Sequence, residues 1–154
     1  MRIALLPSAY FPPVNWFREA VKARRVLVEA WETYPKQTYR NRCMIVTANG
    51  VLPLSIPVKK VHGRHTKTED IEILYDEPWQ RLHRRSIDTA YRNAPFYLHY
   101  IDGIEIFFIK KYRFLLDLDM DIIAAMFRMM ETGVDMALTE TYIRHPEGIT
   151  DLRD

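Results

Sequence analysis

The sequence holds a single cysteine, Cys43, among 154 residues. One thiol excludes an intramolecular disulfide and a multi-cysteine metal site, and it points to a reducing compartment. Glycine is nearly as scarce, at 5 residues. None falls in the spacing of a P-loop or a dinucleotide fingerprint, which excludes the classical ATP and NAD cradles. Net charge is also small: 22 Lys and Arg against 20 Asp and Glu leave +2, too little for a protein that binds nucleic acid through counterion release. Long apolar runs are missing as well. The longest uncharged stretch, 43–58, is broken by Asn49-Gly50, Pro53 and Pro57, whereas a bilayer needs about 20 apolar helical residues. The opening run Ile3 to Leu6 is stopped by Pro7, short of a signal-peptide core. A cytoplasmic protein with no membrane segment is expected.

What remains is ordinary globular chemistry, with 48% hydrophobic and 27% charged residues, in a length that suits one domain over 1–154. The stretch 2–7 is apolar without helical period and reads as a buried first strand. After Tyr10-Phe-Pro-Pro13, the segment 14–23 puts Trp16, Phe17, Ala20 and Val21 on one helical stripe. The stretch 25–30 is again strand-like. This β-α-β opening demands a parallel pair.

Further on, 43–48 and 51–58 flank Asn49-Gly50, which reads as a hairpin whose type I′ turn gives both residues positive φ. Pro53 and Pro57 make its second arm an edge. A short strand at 71–75 precedes a helix opened by Pro78, with Trp79, His83 and Ile87 on its inner face. Residues 96–116 carry aromatics at near-helical spacing, with Gly103 as a break. Asp117, Asp119 and Asp121 suit the start of another helix, 136–139 reads as a strand, and the tail from His145 reads as irregular. The expected architecture is an α/β fold with a mostly parallel sheet, an edge β-hairpin and a helical second half.

Two places carry candidate chemistry. His83 lies on an inward stripe, where a neutral imidazole either takes a proton from an attacking amine or hydroxyl or serves as a core histidine tied to a carbonyl. Tyr39-Arg-Asn-Arg42, preceded by Lys36-Gln37, gathers cations and donors in one loop, suited to phosphate or carboxylate, or else to a solvated basic surface. His62 and His65 lack the further ligands a zinc site requires, so no metal site is expected. Arg81, Arg84 and Arg85 invite an RNA reading, but the interleaved Asp88 and the balanced total charge favour a solvated helix face.

Several strings together resemble the WbqC-like family of bacterial proteins: Leu6-Pro-Ser-Ala-Tyr-Phe-Pro-Pro13, Tyr34-Pro-Lys-Gln-Thr-Tyr-Arg-Asn-Arg-Cys43, Trp79 with His83, Ala90-Tyr-Arg-Asn-Ala-Pro-Phe-Tyr97, and Lys111-Tyr-Arg-Phe-Leu-Leu-Asp117. Their order resembles the branch found in Bacteroidetes. Members are associated with O-antigen and other surface-polysaccharide gene clusters. The resemblance therefore implies surface-polysaccharide biosynthesis, with group transfer (a transferase) on a nucleotide-activated amino sugar as the leading expectation. Non-catalytic binding of a sugar nucleotide or of a partner enzyme is the alternative.

The positions it carries over are Lys36, Gln37, Thr38, Tyr39, Arg40, Asn41, Arg42, Tyr91 and Tyr97 for substrate and His83 for catalysis, and it names no cofactor. Arg40, Arg42 and His83 are expected to face one pocket holding a phosphorylated sugar or sugar nucleotide. Family chains run on past the point where this one stops. That implies a shortened chain or a short member, and a homo-oligomer covering apolar surface within 104–142.

Overall fold

The computed structural model describes residues 2–35 and 38–153. The first strand, β1 (Ile3–Pro7), leads through a Pro-rich link into helix α1 (Val14–Ala23) and strand β2 (Arg25–Glu29), as the apolar pattern expects. Two features make this compact return possible. Phe11 takes a left-handed φ of 43° in the link, a conformation that costs a bulky residue on the order of 1–3 kcal/mol. Arg24 closes α1 in the left-handed region, its N–H donating to the Ala20 carbonyl, the cap that glycine more often provides.

An antiparallel hairpin follows, β3 (Arg42–Thr47) with β4 (Gly50–Ser55), then the short pair β5 (Val58–Lys59) and β6 (Glu72–Ile73). Three helices come next, α2 (Trp79–Tyr91), α3 (Tyr97–Ile101) and α4 (Leu115–Met129), before strands β7 (Asp135–Leu138) and β8 (Ile149–Asp151). β7, β2, β1 and β8 form one four-stranded sheet in that order, every pairing parallel. The hairpin stands as a two-stranded sheet of its own. Among the described residues no helix is long and apolar enough to cross a membrane.

α4 organises the packing. Its Leu116, Ile123 and Phe127 join Ala4, Leu6, Val26 and Val28 of the sheet and Trp16, Phe17 and Ala20 of α1 in one core. Its Leu115, Leu118, Ile122 and Ala125 join a second core with Tyr10, Tyr34, Ile45, Leu54, Ile71 and Trp79. A helix apolar on two stripes is buried nearly all round, and Asp119, between the stripes, is carried inside with it.

Three local expectations are corrected. The hairpin turn falls on Ala48-Asn49, with Thr47 paired to Gly50, and Gly50 alone has positive φ, at 110°. Thr47 explains the shift: its hydroxyl accepts the Asn49 N–H at 3.2 Å and donates to the Gly50 carbonyl at 2.8 Å, closing the turn one residue early. α4 begins at Leu115, so Asp119 is interior to it. The tail is not wholly irregular, because β8 lies against β1. Ile149-Thr-Asp151 has no pattern of its own, and the open side of β1 supplies its hydrogen-bond partners.

Candidate functional site

β1 ends at Pro7, and Ser8, Ala9 and the N-terminal turn of α1 then open a cleft of about 710 Å³, within the range of small-ligand sites. Its other walls are Thr38, Tyr39 and Arg40 and the segment Asp151 to Arg153 that follows β8. This is the carboxyl edge of a parallel sheet, the edge where α/β folds bind ligands. The loop is fixed to the sheet by the Tyr10 N–H, which donates to the Tyr39 carbonyl at 2.8 Å. The tail is fixed by the Leu152 N–H, which donates to the Leu5 carbonyl at 2.8 Å.

Two arginines of the cleft, the buried Arg40 and the partly buried Arg153, are held by carboxylates. Arg40, 7% exposed, donates from Nε to Glu32 Oε1 at 2.7 Å and forms an ion pair with the same oxygen from Nη2 at 2.6 Å, and its Nη1 makes no hydrogen bond among the described residues. Arg153 donates from Nη1 to Glu29 Oε2 at 3.1 Å and from Nε and Nη2 to Asp151. Glu29, 0% exposed, also accepts the Trp31 N–H and the Thr139 hydroxyl. Locked in this way, the guanidinium forks are pre-organised. Tyr39 is half-exposed, Asn15 and Thr38 add polar atoms, and Asp151 and Glu19 add acceptors. Donors and acceptors together suit a ligand with hydroxyls as well as negative charge.

His83 is buried, as its stripe predicts, but lines neither this cleft nor the apolar cavity described below. Its Nε2 lies 3.0 Å from the Ser55 carbonyl, which can only accept, so Nε2 carries the proton and Nδ1 accepts from the Tyr10 hydroxyl at 2.9 Å. Burial pushes its pKa down from 6.5 to about 4, against the hydrogen bond to Ser55. The ring is neutral at pH 7 and holds Tyr10, two residues beyond Ser8. A depressed histidine stabilises the fold above 6.5, and that stability drains away as pH falls from 6.5 toward 4. By pH 5 the loss is about 2 kcal/mol. Urea unfolding at pH 8 and pH 5 is expected to show this extra loss in the parent protein and not in His83→Gln.

Asp119 is the residue that sequence reasoning missed. It is 0% exposed, and neither carboxyl oxygen has a hydrogen-bond partner among the described residues. Burial raises its pKa well above the carboxylate range, while the Arg40 charge pulls it down. In its ionised form Asp119 also raises Tyr34, Cys43 and Tyr10, all three of them buried. The signal was available: 119 lies four residues after Leu115 and three before Ile122, the spacing of an apolar stripe. The three alternating acids, read alone, fit the positive end of a helix dipole instead.

The second hollow, an apolar cavity of about 470 Å³, lies between β3, α2, α3 and the end of α4 and is lined by Met44, Ile87, Tyr91, Met126 and Met130 among others. Cys43 borders it, and burial first and Asp119 second push its thiol up to about 12. Thiolate is the reactive form. Iodoacetamide at pH 8 is therefore expected to leave Cys43 unmodified in the folded protein and to label it in denaturant.

The structure thus brings Thr38, Tyr39 and Arg40 together and separates the rest. The Asn41 amide donates to the Ile56 carbonyl at 2.9 Å and pins the hairpin. Arg42 begins β3. The Tyr91 hydroxyl accepts the Val46 N–H at 3.4 Å beside the apolar cavity. Tyr97 donates to Asp88 and accepts from Arg84, tying α3 to α2. Lys36 and Gln37 lie outside the described residues. Among the described residues no group of three or more His, Cys, Asp and Glu side chains could hold a metal ion.

Comparison with curated proteins and with solved structures finds no match to the chain. A family model, that of the WbqC-like protein family, matches residues 8–152.

Proposed function

Since the chain belongs to the WbqC-like protein family, we propose that it acts in surface-polysaccharide biosynthesis by binding a phosphorylated or nucleotide-activated sugar in the cleft beyond β1. The observation that carries this reading is Arg40: a buried guanidinium, oriented by Glu32, that lines a cleft at the carboxyl edge of a parallel sheet. Arg153 supplies a second oriented fork, and Tyr39 supplies an aromatic face for a sugar ring. Asp151 and Glu19 accept from sugar hydroxyls.

The chemistry that follows binding is group transfer to the sugar, with the cleft aligning donor and acceptor. Non-catalytic binding is the second reading. It is favoured by the position of His83, whose two ring nitrogens are engaged away from the cleft. A panel of nucleotide sugars, sugar 1-phosphates and neutral sugars, read by thermal shift, tests the binding. Phosphorylated members should stabilise the protein and neutral sugars should not. Mass spectrometry of the bound member, incubated with acyl and aminoacyl donors, then separates transfer from binding alone.

A further inference from the structure

The N-terminus of α1 opens into the cleft, and two independent features there are incomplete. Pro13 provides no side-chain cap for this ten-residue helix. The N–H groups of Val14 and Asn15 find no acceptor among the described residues, and the Asn15 side chain is turned to the Trp16 N–H instead. Ser8 lines the same cleft as Pro13 and Asn15 of the helix start, 1% exposed, its hydroxyl without a hydrogen-bond partner among the described residues. A buried hydroxyl left unmatched is costly and uncommon. Uncapped N–H groups at the positive end of a helix are a ready acceptor site for an anion.

Resting on the reading of the cleft given above, we propose that the phosphoryl group of the ligand sits at the first turn of α1, bonded by Ser8 Oγ and the N–H groups of Val14 and Asn15, with Arg40 on its outer side. The sugar ring then extends toward Tyr39 and Arg153. The one carboxylate on the helix wall, Glu19, is already matched by Arg2 at 3.1 Å, Lys22 at 3.4 Å and Arg18 at 3.8 Å, which offsets its repulsion of a dianion. A phosphate monoester and a diphosphate share this chemistry. Free phosphate is the other source of it.

The test is an amide NMR titration of the full chain with inorganic phosphate, a sugar 1-phosphate and the same sugar without phosphate, repeated on Ser8→Ala. That substitution removes only an unmatched hydroxyl and is expected to fold normally. The proposal expects both phosphate probes to move the Val14 and Asn15 amides and the neutral sugar to leave them still. It expects Ser8→Ala to weaken sugar 1-phosphate binding roughly 10- to 100-fold, the worth of a hydrogen bond to a charged group. Sugar phosphate that moves Tyr39 and Arg153, with Val14 and Asn15 still and Ser8→Ala unchanged, overturns the subsite and leaves the cleft reading intact. Equal affinity for inorganic phosphate and sugar phosphate supports the subsite and overturns the sugar reading. No shift in any cleft resonance overturns both.

Discussion

Arg40→Ala is expected to weaken binding of a phosphorylated sugar by roughly 10- to 150-fold, the effect of deleting one charge-assisted contact to phosphate. Arg40→Lys should recover only part of it, because an ammonium cannot hold Glu32 and phosphate in one planar fork. The substitution should also leave a pH signature in the unliganded protein. Glu32 is raised above its ordinary pKa by burial and drawn back by Arg40, and Asp119 is raised by burial and drawn back by the same charge. A carboxyl group raised on folding stabilises the fold fully below its unfolded pKa and less as pH rises through its folded one. Without Arg40 both groups rise further, so Arg40→Ala should lose more stability at pH 8 than at pH 5. Urea unfolding at the two pH values, beside calorimetric titration of the ligand, separates binding from folding.

Arg153→Met is expected to cost about 3–5 kcal/mol of stability, as breaking one side of a buried ion pair does. Glu29 is 0% exposed at the end of β2, where Pro7 of β1 is its register partner. Its Oε2 accepts from the Arg153 fork, and the donors Trp31 and Thr139 both serve Oε1. Without Arg153 one carboxylate oxygen is stranded between strands. Adding Glu29→Gln to Arg153→Met should recover most of the loss, because a neutral amide keeps the acceptor for Trp31 and Thr139 without a buried charge. Denaturant midpoints of the two single variants and the double variant check this. A double variant no more stable than Arg153→Met alone would contradict the pairing.

The parts of the fold written in local pattern could be read directly. β1, α1 and β2 follow from an apolar run, a helical stripe and a second apolar run. The hairpin follows from Asn49-Gly50, although Thr47, one residue outside that signal, decides where the turn falls. β8 could not be read, because its residues are strand only by virtue of the edge that β1 offers. The site was half legible for the same reason. Thr38, Tyr39 and Arg40 stand out in sequence as a polar loop, but the wall opposite them comes from Asp151 to Arg153, more than a hundred residues away, and nothing local marks that partnership. The helical stripe turns His83 inward, and it is buried. That its nitrogens meet Tyr10 and Ser55, and not a cleft, depends on where β4 ends.

Hydrogen–deuterium exchange with and without a saturating nucleotide sugar distinguishes a ligand site at the carboxyl edge of the parallel sheet from one in the apolar cavity. Binding at the carboxyl edge gives protection in peptides covering 6–19, 38–42 and 149–153, with no change in 44–46, 87–104 and 126–130 around the apolar cavity. Protection confined to the cavity peptides, with the cleft peptides unchanged, would contradict it.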